Sequence, residues 1–428
     1  MMLVSACLLS LCATAALSRG LDVVFEWKQL QFDLVVDRRN HVPENNVPVG
    51  LEVWKDKLFI TVPRWKPGVP VSLAYVNIKE AGKNMSPVLK PYPNSEAHDL
   101  RGDNMTRLVS PFRVRADSCD RLWVLDTGLI DILGQVEHVG PNQLLVYDLN
   151  TDKLLRRYEI PHRFLKNETF FANIAVDVKA NNCEQTFAYL ADLGTNSLVV
   201  YRWETSRAWQ VRHHYFHNDP MAGDYNVSGL NFQWTDGLFG LALSGEHAGY
   251  RTLYFHPFSS YSEFSVSTKV LQNETLWFNH TGETYHLFEH LGTRGPHSQS
   301  CASFLDEKTG VLFYTQVARN SVGCWNSRLP YNPATQGEVD ANDVTMVFPN
   351  DVKVDRNRKL WVLTDRMPIF MYGKLNYSDV NFRILSAPVD RAIAQTVCAD
   401  GSVSHSGSSY HIAVLPFVIS CFVFTTHF

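Results

Sequence analysis

The 428 residues carry 39 Lys and Arg against 43 Asp and Glu, a net charge of −4 that leaves no basic footprint for nucleic acid. With 45% hydrophobic and only 19% charged residues the chain is too apolar to be largely disordered, and it is long enough for two or three domains or one large repeat fold. Aromatic residues, at 12%, favour strands over helices.

The first element is an apolar run over residues 3–16 that includes the small residues Ala13, Thr14 and Ala15. It lacks a basic start but otherwise reads as a secretory signal peptide, residues 1–18. Seven Asn-x-Ser/Thr sequons, at Asn84, Asn104, Asn167, Asn226, Asn273, Asn279 and Asn376, agree with that route.

Residues 19–400 show no long 3.6-residue periodicity. Short apolar or alternating runs recur instead, separated by Gly, Pro, Asn and Asp. The unit FRVRADSCDRLWVLD (112–126) resembles VKVDRNRKLWVLTD (352–365), GLEVWKDKLFITVP (50–63) and NIAVDVKANNCEQTFAYLAD (173–192), with weaker copies at 236–257 and 300–316. Each reads as a strand, a polar turn and a second strand. The second strands begin near 58, 122, 188, 253, 312 and 360, at intervals of 64, 66, 65, 59 and 48 residues. Six copies at that spacing predict an all-β fold, a six-bladed β-propeller with a central channel, in which stacking buries faces that no blade buries alone. Two β-sandwiches are the alternative, but nothing resembling a linker divides the chain. Third strands are expected at 72–78, 143–149 and 197–203, and a segment within 23–34 is expected to close the ring.

Beyond the ring, residues 401–428 are a small, polar spacer followed by an apolar tail over 412–424. The tail is short for a membrane span and fits a candidate GPI-attachment signal, the only membrane association expected; a tail with no processing role is the alternative.

In a propeller the first strand of each blade starts, and the second ends, at one mouth of the channel. That mouth would gather Arg64, Trp65, Asp126, Asp192, His256, Gln316 and Asp365 from strand ends, and Phe171, Asn173, Trp234, Asp236, His297, Asn350 and Asp351 from strand starts. Carboxylates, amides and aromatic rings together suit a small aromatic cation. An Asp at a strand end ordinarily caps a turn, which is the reading given to Asp126 and Asp192; Trp65 and Trp234 read as packing residues. The Asn350/Asp365 pair stands between ligand contact and turn closure. His213, His214 and His217, taken as a strand, place 213 and 217 too far apart to chelate one metal, so no metal is expected. The integrin-type tripeptide Arg101-Gly102-Asp103 is a motif of poor specificity and abuts the Asn104 sequon. There is no G-x-S-x-G, P-loop or G-x-G-x-x-G motif, so hydrolase and nucleotide chemistry lack support and no cofactor is expected. Eight cysteines (Cys7, Cys12, Cys119, Cys183, Cys301, Cys324, Cys398 and Cys421) include no C-x-x-C pair, which argues against a zinc ribbon.

PVGLEVWKDKLFITVPRWKPGVPVSLAYV (48–76), CDRLWVLDTG (119–128), RTLYFHP (251–257), VGCW (322–325), FPNDVKVD (348–355), WVLTDRMP (361–368) and NYSDVNFRI (376–384) resemble the insect Yellow and major royal jelly protein family, in order over about residues 25–400. DRMP and the TVP-R-W run look closer to the Yellow branch. The resemblance implies a six-bladed propeller, secretion, and a role in cuticle pigmentation, melanin formation or development. Some Yellow-like members are associated with dopachrome conversion, and salivary relatives bind biogenic amines at the channel mouth. By position in the motifs, such a ligand would meet Asn350, Asp365 and Met367; the mouth geometry adds Asn173 and Phe171 as candidate contacts. Where the salivary pattern has an Asn and then an aromatic residue two places on, this chain has Asp365 and Met367, gaining a charge and losing a stacking surface. The resemblance also implies Cys119–Cys183 and Cys324–Cys398 disulfides, leaving Cys301 over, with Cys324 as its alternative partner. Three functions follow as expectations: a non-catalytic binder of a small aromatic amine, a dopachrome isomerase using Asp365 or His297 as base, and a glycosylated component of cuticle, eggshell or matrix.

Overall fold

The computed structural model describes residues 20–33, 41–103, 105–180, 182–278 and 284–399. The signal segment, the C-terminal tail 401–428, Cys7, Cys12, Cys421, Asn104 and Asn279 lie outside them.

Each sequence copy folds as a strand, a turn and a returning strand, and a shared turn explains the likeness between the two most similar copies. Asp117 accepts from the backbone N–H of Cys119 and Arg121 at 2.9 and 3.0 Å and from the indole Nε1 of Trp123 at 2.7 Å. Asp355 repeats the arrangement, accepting from the N–H of Asn357 and Lys359 and from Trp361 Nε1, each at 2.9 Å. The Asp closes the turn and the Trp six residues on locks the returning strand to it.

Among the described residues six such units form six antiparallel four-stranded sheets. Their inner strands are Gly50–Trp54, Pro111–Ala116, Phe171–Lys179, Leu238–Leu243, Ser303–Asp306 and Pro349–Val354. The second strands, Lys57–Thr61, Arg121–Asp126, Asn182–Asp192, Thr252–Pro257, Val311–Gln316 and Lys359–Thr364, fall where the recurrence predicts. The inner strands touch in a closed ring, which makes the fold a six-bladed β-propeller. Numbering the blades 1 to 6 along the chain, the apolar clusters are wedges shared by neighbours: Trp123, Leu144, Phe171 and Leu190 between blades 2 and 3, and Val200, Trp209, Phe255 and Val266 between blades 3 and 4.

Closure comes from the beginning of the chain. Asp22–Trp27 is the outermost strand of blade 6, paired antiparallel with Phe382–Pro388 so that Trp27 faces Phe382 and Asp22 faces Ser386. Phe25 and Trp27 are buried, and Trp27 Nε1 donates to the carbonyl of Pro87 at 2.9 Å, tying blade 6 to the last loop of blade 1.

Two disulfides staple the ring. Cys119–Cys183 joins blades 2 and 3, and Cys324–Cys398 fastens the segment after blade 6 to blade 5, leaving Cys301 a buried thiol. The His213–His217 run departs from its expected strand form. Blade 3 ends at Arg212, and His214–Phe216 is a 310 turn capped by His213, whose ring accepts from the N–H of Tyr215 at 3.1 Å and stacks on Phe288 at 4.0 Å.

The closing strand makes a testable demand. Trp27→Ala should cost about 3–5 kcal/mol, because it leaves a cavity and an unpaired Pro87 carbonyl. Urea unfolding should show it as a lower midpoint, and an unchanged midpoint would mean that the ring closes without this strand.

Candidate functional site

Each inner strand has one free edge, so its unpaired backbone groups face the channel axis. Four inner strands carry one extra residue close to where they leave the mouth. Register shifts lie between Pro111 and Val114, Phe171 and Asn173, Leu238 and Gly240, and Pro349 and Asp351. A bulge re-aims the side chain that falls out of register. The displaced residues are Phe112 with Arg113, then Ala172, Phe239 and Asn350, and they converge.

Arg113 is the centre of that convergence and is wholly buried. Its Nη2 donates to the backbone carbonyl and to Oδ1 of Asn350, at 2.7 and 2.9 Å. Its guanidinium carbon lies 4.9 and 5.5 Å from the ring centroids of Phe112 and Phe239, and its Nε is 3.7 Å from Asp351 Oδ2. Asp351 also accepts from the N–H of Leu51 and Val352, both at 2.9 Å, and from Lys353 Nζ at 2.6 Å. The thiol of Cys301 donates to the carbonyl of Asn350 at 3.0 Å, and burial pushes that thiol up to about 12.

Asn350, Asp365 and Met367 are brought together. Asn350 Nδ2 donates to Asp365 Oδ2 and lies 3.5 Å from Met367 Sδ, while Asp365 Oδ1 accepts from the Met367 N–H at 3.0 Å. The trio is buried. Burial pushes Asp365 up to about 7, against the opposing pull of the Asn350 and Met367 hydrogen bonds and the charge of Arg113. Asn173 is close to the axis but is satisfied within its surroundings, donating to the Phe239 carbonyl at 2.8 Å and accepting from the Ile174 N–H at 2.9 Å. Phe171 packs in the wedge between blades 2 and 3, because the bulge turns Ala172 rather than Phe171 toward the axis. His297 stands exposed in a left-handed turn before blade 5, and no contact joins it to Asp365 among the described residues.

The other mouth acids divide cleanly. Asp126 accepts from the N–H groups of Val109, Ser110 and Gly128, and Asp192 from Phe170 and Thr195; both close turns. Asp236 differs. It is half-buried, its carboxylate has no hydrogen-bond donor among the described residues, and burial pushes it up to about 6. Reading the sequence places it at the mouth but cannot separate it from its capped counterparts, since the distinction lies in which backbone N–H groups reach each carboxylate.

Aromatic rings roof this floor. Trp65 stacks on Phe112 at 5.5 Å; Phe112 meets Phe239 at 5.7 Å, Phe239 meets Phe258 at 5.3 Å, and Phe258 meets Trp234 at 5.5 Å. The hairpin of Asp224–Val227 and Leu230–Gln233 adds Tyr225 and Phe232, which stack at 5.1 Å. The short helix Met367–Tyr372 closes the other side, held by Lys66 Nζ donating to the Phe370 carbonyl at 2.8 Å. Trp234 is half-buried and Tyr372 exposed, so the outer rim of the aromatic cluster reaches solvent two residues from Asp236.

Comparison with known proteins places these features in a wider group. The family model described as Major royal jelly protein matches residues 109–398. Protein yellow of Drosophila melanogaster is 42% identical over 385 residues, 87% of this chain and 70% of its own, and Protein yellow of Drosophila subobscura is 41% identical over 87% and 66%. Among solved structures, virginiamycin B lyase from Staphylococcus aureus aligns over 81% of this chain and 97% of its own with a TM-score of 0.41 and 11% identity, too distant to bear on function.

The buried carboxyl has a thermodynamic signature. Folded Asp365 keeps its proton to about pH 7, whereas an unfolded Asp releases it near pH 4, so the folded chain binds more protons in that window and this group's contribution to stability falls as pH rises through it. Asp365→Asn removes the contribution. Urea unfolding at pH 4.5 and 7 should show the wild type losing more stability than the variant across the window, by about 1 kcal/mol or more. Parallel losses would mean that Asp365 is ionised throughout.

Proposed function

The chain belongs to the Yellow and major royal jelly protein family, and from that membership we propose that it is a secreted protein of cuticle pigmentation, melanin formation or development that binds a small aromatic, catecholamine-type ligand at the propeller mouth. The observation that carries the reading is Asp236, a carboxylate without a donor among the described residues, two positions along the chain from Trp234, whose ring reaches solvent together with that of Tyr372. An ammonium group supplies what the carboxylate lacks, and an aromatic body supplies a partner for the rings. Asn350, Asp365 and Met367 form the floor beneath. Secretion rests on the signal-like segment 1–18 and on two disulfides, which persist in oxidising compartments. The described sequon residues Asn84, Asn167, Asn226, Asn273 and Asn376 are all exposed, as glycan transfer requires. A GPI anchor at the tail belongs to the same proposal.

One observation favours a second reading, dopachrome isomerisation. A carboxyl pushed up to about 7 has the proton affinity of a general acid or base at neutral pH, and Asp365 is such a group. Dopachrome decay separates the readings: catalysis requires decay faster than the spontaneous reaction and its loss in Asp365→Asn.

Calorimetry of the full chain with dopamine, dopa and serotonin tests the binding reading. At least one should bind, and Asp236→Asn should weaken it about tenfold by removing the charge from the ammonium contact. An absence of heat from all three, with folded protein at high concentration, would sink it.

A further inference from the structure

The channel has a second chamber, at the face opposite the mouth, where the inner strands end. A cavity of about 150 Å3 is walled there by residues of five blades. A cavity of about that size accommodates a benzene ring in an engineered protein. On the strands of blades 2 and 6, Arg113 and Asn350 stand nearer the mouth than Arg115 and Lys353, which line the chamber, so the axial plug lies between the two compartments.

The walls are mixed, with Ile174, Leu241 and Leu305 supplying an apolar part and charged and polar side chains about as much again. Their polar groups are short of acceptors. Lys353 is 5% exposed, and its ammonium, with three N–H groups, makes a single hydrogen bond among the described residues, to Asp351 Oδ1 at 2.6 Å. Ser303 is 3% exposed, and its Oγ has no partner among the described residues. Arg115 gives Nη1 to Glu52 Oε2 at 2.9 Å and lies 4.4 Å over the Phe304 ring, with the rest of its fork uncommitted among the described residues. The acids nearby are engaged: Asp117 by Arg121, Glu307 by Arg251, and Asp351 by two backbone N–H groups as well as by Lys353. Burial, foremost, and the Arg113 charge lower the pKa of Lys353, while Asp351 and Glu52 raise it, so the buried ammonium is one that negative charge favours.

We propose that this lower chamber is a binding site for a small organic carboxylate with a single-ring or branched apolar body. The carboxylate takes the uncommitted N–H groups of Lys353 and the hydroxyl of Ser303, and the body lies against Leu241 and Leu305. The chamber is chemically the inverse of the mouth, which offers a carboxylate to a cation, and its occupancy does not depend on what the mouth binds.

Benzoate is the probe, with benzamide and benzylamine as its uncharged and cationic isosteres. Calorimetry on the full chain should show one benzoate bound with a millimolar or tighter dissociation constant, benzamide at least about tenfold weaker, no binding of benzylamine to this site, and no displacement of benzoate by dopamine. Lys353→Met should abolish benzoate binding. That substitution also strips buried Asp351 of its cation and can unfold the ring, so Ser303→Ala is measured beside it. Its hydroxyl has no partner to lose, the variant should melt like the wild type, and benzoate should bind about fivefold more weakly. The assignment is overturned by an absence of heat at millimolar benzoate, by benzamide binding as tightly as benzoate, by competition from dopamine, or by full affinity in a folded Ser303→Ala variant.

Discussion

A cation with no route to water sits on the axis of this ring, and the surrounding structure is arranged to tolerate it. Removing a guanidinium from solvent costs several kcal/mol unless charge and hydrogen bonds replace the water. Arg113 receives both from blade 6, through the carbonyl and amide of Asn350 and the carboxylate of Asp351, and two aromatic faces from blades 2 and 4. Blade 1 joins through the Leu51 N–H on Asp351, and blade 5 through the Cys301 thiol on Asn350. Five blades therefore meet at one ion. Two of its nitrogens, Nε and Nη1, still lack a hydrogen-bond partner among the described residues. Such a centre contributes more to fixing how the blades are set about the axis than to net stability.

The recurrence was legible because it has a local cause. An Asp at the turn and a Trp six residues later leave a sequence trace in blades 2 and 6, and the strand, polar turn and strand pattern shared with the other copies placed the remaining second strands. The closing strand was legible as an apolar segment with no partner of its own. The bulges were not. A single unpaired residue changes no hydrophobic pattern, yet it decides that Ala172 faces the axis while Phe171 packs between blades. The grouping of Asn350, Asp365 and Met367 followed from motif position, but their burial beneath the aromatic roof did not, since the roof draws on a hairpin near 225–233 and on Trp65, far apart in the chain. His213–His217 misled for a related reason: a capped 310 turn and a strand of aromatic residues look alike over five positions.

One buried cluster shows how easily structure imitates chemistry. His256 Nδ1 lies 2.9 Å from Glu263 Oε2, which also accepts from Arg294 Nη1 at 2.7 Å, and all three side chains are wholly buried. In a cleft this would read as an oriented base. Here Arg294 also donates to the carbonyls of Ser260, Ser262 and Ser298, tying blade 4 to the loop that enters blade 5. The imidazole occupies the space that a Cβ at Gly240 would need, which is why that inner-strand position carries glycine. The cluster is a joint.

The strand Asp22–Trp27 has a consequence for the order of events in the cell. Its hydrogen-bonding partner, Phe382–Pro388, lies about 355 residues further along the chain. At ordinary synthesis rates of about 5–20 residues per second, the earlier strand emerges roughly 20–70 s before the later one exists. For that interval an apolar segment holding Phe25 and Trp27 has no edge to pair with, while blades 1 to 5 can assemble behind it. The nascent chain is thus an open arc with one unclaimed edge at its growing end and one unclaimed strand at its start. Its exposure to aggregation, and its claim on chaperones, end only when the two extremities of the chain meet.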